Sequence, residues 1–218
     1  MTARLLRALA MAAVAAGLTG CVSVFPKSEP AQLYSFGRNW STSEASAAAA
    51  PANRERAGLL LAAVDFPRAA QGDAILTMTG AEAAYITETR WVAPAVVLFR
   101  EAVERRFDDT GQRTRLVARG DIGKTSLILR LDVREFEAVY PYAEAVPSVT
   151  VSARARLVRA DGTAVDERTF TSTRPAAENR VSSIVQGLDA SAMTVVDEIV
   201  AWTEAAAAAL PQASAAAR

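Results

Sequence analysis

Histidine is absent from all 218 residues, and cysteine occurs once, as Cys21. The first absence removes the commonest general base, the commonest metal ligand and every Ser–His or Cys–His nucleophile pair. The second excludes an intrachain disulfide and a cysteine-cluster zinc site. Excess charge of one sign is missing too. Lys+Arg and Asp+Glu are both 24, so no global field recruits nucleic acid or an anionic membrane face. Beyond the N-terminal leader no stretch reaches about 18 uninterrupted apolar residues, the length a spanning helix needs. No catalytic, metal-binding or cofactor-binding residues are assigned, and a non-enzymatic protein is expected.

The N-terminus carries the most information. "MTARLLRALAMAAVAAGLTGC" has a positive start at Arg4 and Arg7, an apolar stretch from Ala8 to Leu18, and small residues before Cys21. That is an export signal, too short and too weakly flanked for a stable transmembrane helix. Its end, Leu18-Thr19-Gly20-Cys21, resembles a bacterial lipobox. The resemblance implies a thioether-linked diacylglycerol on Cys21, cleavage before it, and acylation of the new amine. Several acyl chains on one residue meet the need for more than one hydrophobic signal in lasting anchorage. The alternative is an ordinary signal peptide with a chance cysteine. Cleavage removes two arginines and no acid, leaving 22 basic against 24 acidic residues, a formal −2. Val22, standing where enteric-type lipoproteins retained at the inner membrane carry Asp, favours the outer membrane by that analogy.

One motif invites a different reading. "ARGDIGKT", Ala118 to Thr125, has the spacing of a phosphate-binding loop. Such a loop needs a helix straight after it, whose N-terminal amides hold the phosphates. The next residues, Ser126 to Val133, are instead apolar at every odd position, a period of two that means strand. An exported protein also meets no ATP pool. Gly120, Asp121, Gly123 and Lys124 therefore read as a turn between strands.

Along the rest of the chain, "VSVFPKSEP" (22–30) forms a tether and Gln32–Phe36 a first strand. Ser41–Asn53 is low in complexity and reads as a mobile loop. Gly58–Phe66 is a buried strand, and Ile75–Thr79 with Ala83–Thr87 forms a hairpin about Thr79-Gly80-Ala81. In "TRWVAPAVVLFREAVERRF", Pro94 suits the first turn of a helix. Val96, Phe99, Val103 and Phe107 make its apolar stripe, with Glu101 and Arg105 paired on the wet side and Gly111 ending it. Arg113–Arg119 is the next strand. In Ser126–Tyr140 the apolar phase moves from odd to even positions, which predicts a β-bulge near Arg134-Glu135. Pro147–Ala160 alternates cleanly, and Asp161-Gly162 is a two-residue hairpin signal into Val165–Thr173. Ser183-x-x-Gln186 is a capping box for a last helix, with a start nearer Asp189 as the alternative because Gly187 weakens the first turn. Its stripe is Val185, Leu188, Ala192, Val195, Ile199 and Trp202.

These elements predict an α+β fold: a two-layer sandwich of a mainly antiparallel sheet with two amphipathic helices on one face. The expected organisation is a signal peptide (1–20), a lipid-anchored tether (21–30), a single domain (31–210) and a disordered tail (211–218).

On the lipobox, the Tyr34-containing "QLYSFG", and above all "YITETRWVAPAVVLFREAVERRF", the chain resembles the ABC-type transport auxiliary lipoprotein family, which includes PqiC-type lipoproteins. Trp91 and Pro94 carry that match; the Ala-rich Ser41–Asn53 stretch departs from it. The resemblance implies a non-enzymatic role in intermembrane lipid traffic at the outer membrane, with an MCE-domain protein and an ABC permease and ATPase as partners. A homo-oligomer stays open. Trp91 reads as a core anchor beside a helix start. Tyr140 and Tyr142 are candidate partner contacts, or aromatics folded back onto the core. Asp108-Asp109 and Asp197-Glu198 read as solvated helix charges, with no base or metal ligand beside them. Two rival classes remain: a lipid carrier with its own acyl-chain cavity, and a periplasmic hydrolase.

Overall fold

Alternation of large apolar and polar side chains between Leu127 and Tyr140 gives that segment one dry and one wet face, and the rest of the fold is arranged around it. The computed structural model describes residues 31–38, 56–118, 120–121 and 125–210, all within the unit Ala31–Arg218. The element order is β1 (Gln32–Tyr34), β2 (Ala57–Asp65), β3 (Ala74–Thr79), β4 (Glu82–Trp91), α1 (Ala95–Thr110), β5 (Thr114–Leu116), β6 (Leu127–Tyr140), β7 (Ser148–Arg159), β8 (Ala164–Pro175) and α2 (Val181–Ala209). The expected signal peptide, the tether, Ser41–Asn53 and the tail after residue 210 lie outside the described residues.

β6 pairs with β7 along one edge. Its other edge is shared by β2 beside its first half and β3 beside its end. β2 carries β5, β3 carries β4, β4 carries β1, and β8 lies outside β7. The eight-stranded sheet is therefore mixed. Four pairings are parallel (β1–β4, β2–β5, β2–β6, β3–β6) and three antiparallel (β3–β4, β6–β7, β7–β8). This corrects the expectation of a mainly antiparallel sheet. Alternation records which face of a strand is buried and is silent on which strand lies beside it; the parallel neighbours come from segments far apart in the chain.

The α+β class holds, and both helices feed one core with the dry side of the sheet. α1 lies over β2 and β5, α2 over β7 and β8, and the helices touch. The bulge falls where the phase change put it. The β6–β7 register shifts between Val133 and Glu135, so Leu131, Val133, Phe136 and Ala138 are all buried despite the change of parity.

Local chemistry departs from expectation in three places. The β7–β8 connection is a three-residue loop: Arg159 N–H donates to Thr163 O (2.8 Å), Gly162 N–H donates to Arg159 O (2.9 Å), and Gly162 has φ +89°. Only the glycine needs the left-handed region, so a type I turn with a bulge replaces the two-residue turn. The Ser183 capping box does not form. α2 begins at Val181, and buried Ser183 accepts from Arg180 Nε at 3.1 Å. The helix can start ahead of Gly187 because the glycine lets it lie close on β7; a Cβ there would stand 2.9 Å from Val149 Cγ2. On α1 the i, i+4 ion pair is Arg100–Glu104 at 3.1 Å, while Arg105 donates to Gly37 O at 3.0 Å.

Candidate functional site

The Trp91–Pro94 segment is a junction of four pieces of chain. Trp91 is only 2% exposed. Its ring meets Phe36 edge-on, centroids 5.0 Å apart, and Phe136 at 6.1 Å. Trp91 N–H donates to Asp73 O and Val92 N–H to Tyr34 O, at 2.7 and 2.8 Å. Pro94 sits one position earlier than its sequence reading, as the residue before the first helical turn. The next two helix amides donate to Gly72 O (2.8 Å) and Gln71 O (3.3 Å). Backbone carbonyls thus occupy donors that a helix N-terminus would otherwise offer to an anion. Trp91 and Pro94 serve packing and chain direction.

Gly37 is a second junction, which the sequence did not mark. It holds φ +74°, and a Cβ there would lie 2.6 Å from Ala102 Cβ. Its N–H donates to Asp189 Oδ1 at 2.7 Å. Asp189 thus accepts an N–H from across the fold instead of starting its own helix.

Glu204 makes a third. Its carboxylate accepts from the N–H groups of Gln112 (3.0 Å), Arg113 (2.6 Å) and Thr114 (3.1 Å), and from the Thr114 hydroxyl. Three converging amides form an anion cradle, and the chain fills it with its own carboxylate from the far end of α2. Lone polar residues separated by 90 positions or more leave no local pattern to find.

Among the acid pairs, Asp108 and Asp109 are exposed on α1 as expected, whereas Asp197 pairs with Arg106 Nε at 2.7 Å and so joins the two helices. A groove of about 430 Å³ between the C-terminal ends of the helices is lined by Arg106, Asp197 and Glu204, each already engaged. Where a P-loop would require a helix, the chain enters β6; Arg119 and residues 122–124 of that motif lie outside the described residues.

The two tyrosines part company. Tyr140 is half-buried against the core, its hydroxyl donating to Asn179 Oδ1 at 3.0 Å, and burial pushes its pKa up. Tyr142 is 69% exposed at the tip of the β6–β7 connection, with Val146 48% exposed beside it. On the wet side of the sheet two acids shift in opposite directions. Burial, then repulsion from Glu135, raises the Glu137 carboxyl. Hydrogen bonds from Arg156 and Arg154 lower that of Glu167. Among the described residues no three acidic or cysteine side chains are grouped to hold a metal, and no helix is long and apolar enough to cross a membrane.

The family model for the ABC-type transport auxiliary lipoprotein component matches residues 41–200, and the chain belongs to that family. The match takes in the Ala-rich 41–53 stretch that the sequence reading set apart. The family is one of auxiliary lipoprotein components, not a catalytic family, and its name ties it to ABC-type transport. A Xanthomonas campestris protein of the DUF330 family model is similar at 27% identity and a TM-score of 0.62, over 68% of this chain and 84% of that one. A second solved structure, of an uncharacterized protein, shares the fold at 14% identity and a TM-score of 0.60, over 80% of this chain and 99% of that one. No curated protein matches the chain significantly.

Proposed function

We propose that this protein is the lipid-anchored, periplasm-facing subunit of an ABC/MCE-type intermembrane phospholipid transport system, docking the transport conduit at the outer membrane. The observation that carries the reading is the family match across residues 41–200. The lipobox ending in Cys21 supports the anchor, and Val22 supports the outer membrane. The role is non-enzymatic: the domain supplies a rigid surface, and its partners are the MCE-domain protein and the ABC permease and ATPase of the same system. The test is capture of the tagged, membrane-extracted lipoprotein after mild crosslinking, with mass spectrometry of the captured proteins. Recovery of an MCE-domain protein with its permease supports the reading. Co-purified phospholipid without any transporter component replaces it with a free-standing lipid-binding lipoprotein.

A further inference from the structure

The sheet ends differently on its two sides. On the side reached through β3 and β2 the outermost strands, β1 and β5, are three residues each, and so short an edge offers little to pair with. On the other side β8 runs twelve residues, Ala164–Pro175, and only β7 lies beside it. Among the described residues no strand pairs with its outer side.

Natural sheets guard such an edge with a proline, a bulge or a charge that projects outward. In β8 the register shift lies at its first end, opposite Leu157–Val158, and the proline is the last residue. Its four charged side chains are folded back on their own fold. Asp166 Oδ2 accepts from Trp202 Nε1 at 2.7 Å, and Arg174 Nη2 donates to Thr194 Oγ1 at 3.0 Å. Glu167 accepts from Arg154 and Arg156 of β7, on the side away from the edge. Arg168 lies over the Phe170 ring, 5.3 Å from its centroid. Thr169 to Thr173 contain no charge, glycine or proline, and their threonines favour pairing in a sheet.

The strand's own sequence selects what covers it. Two copies meeting edge to edge about a two-fold axis run antiparallel, and residues opposite one another share a face of the joined sheet. With the axis at Phe170, Asp166 of each copy faces Arg174 of the other, Thr169 faces Thr171, and the overlap takes in Val165 to Pro175. Moving the axis to Thr171 sets Arg168 against Arg174, and moving it to Thr169 sets Asp166 against Ser172. Opposite charges across a strand pair stabilise it and like charges do the reverse, so charge selects the axis at Phe170. The helices fit as well. α2 covers β7 and β8 together. With neighbouring strands 4.7–4.9 Å apart, the two copies of α2 come to lie about 10 Å from one another, the spacing of packed helices.

We propose that β8 pairs with β8 of a second copy of this chain, antiparallel about Phe170, joining two eight-stranded sheets into one. Such a pair needs neither the lipid anchor nor the transport role.

The experiment uses the full chain with Cys21→Ser, so that introduced thiols are the only ones present. Sedimentation equilibrium should give twice the mass of one chain. Asp166→Lys and Arg174→Glu, each alone, should weaken self-association roughly tenfold, because two attractive pairs become repulsive, and the two together should restore it. The urea midpoint of each variant separates a lost seam from a lost fold. Where a charge variant lowers that midpoint, a thiol pair decides. Thr169→Cys and Thr171→Cys, mixed and oxidised, should form the mixed disulfide. Neither alone should bridge to itself, since like positions lie about 7–8 Å apart on the diagonal. A chain that stays monomeric overturns the proposal. So does a dimer that the single charge variants leave unchanged, one that a folded double variant fails to restore, or one in which no mixed disulfide forms.

Discussion

Trp91-Val92-Ala93-Pro94 and Tyr140-Pro141-Tyr142 both set large aromatics close to a proline, and they end up opposite. Trp91 is buried among Phe36 and Phe136, whereas Tyr142 is the most exposed of the large apolar side chains described. The segment after each proline makes the difference. Pro94 leads into an amphipathic helix whose apolar stripe must dock, which drags Trp91 into the core. Pro141 leads into a turn between two strands, and a turn brings no apolar face to cover its neighbours. Tyr140, one residue inside the strand, belongs to the packed side of that divide.

The comparison breaks most clearly at Trp91. Trp91→Ala should cost about 3–5 kcal/mol, as for large aromatics removed from a core, read as a fall in the urea midpoint. Gly37→Ala comes next. It places a Cβ against Ala102 at φ +74°, and backbone strain alone is worth roughly 1–3 kcal/mol; Ala102→Gly should relieve the clash and leave the strain. Glu204→Ala strips the partner from three amides and a hydroxyl, and about 1–3 kcal/mol is expected by the same measurement.

Smaller effects depend on pH. Glu137 holds its proton more tightly folded than unfolded, so its favourable contribution is present below the ordinary value of 4.5 and is lost as pH rises through the raised folded value. Glu167 behaves inversely: its contribution is present above 4.5 and is lost as pH falls through its lowered folded value. At neutral pH Glu137→Gln should therefore raise the thermal midpoint and Glu167→Gln lower it, both differences vanishing in acid. Smallest of all is Tyr142→Ala, within about 0.5 kcal/mol of the parent in stability. A large loss there would move Tyr142 from the surface into the packed set with Trp91 and erase the contrast.

Much of the fold was legible because burial leaves a period. The odd-to-even change in β6 announced its bulge, and the α2 stripe from Val185 to Ile199 is buried as its spacing implied. Sites that rest on single polar residues were not legible. Ser183 carries the composition of a cap and serves instead as a buried acceptor for Arg180. Asp189 has a true N–H partner, but that partner is Gly37, 152 positions away. The exposed glutamates and arginines look alike in the sequence, and only the fold sets Arg154 and Arg156 beside Glu167.

By itself the sequence determined the identity of most strands and both helices, and the face each one buries. Those properties are written in runs and periods of neighbouring residues, where each side chain's solvent preference acts locally. Tertiary structure alone decided that four of seven strand pairings are parallel, that Gly37 and Glu204 tie distant segments together, and that Tyr140 turns in while Tyr142 turns out. Hydrogen-bond partners and strand neighbours depend on which segments the closed core brings side by side, and no local period records that choice.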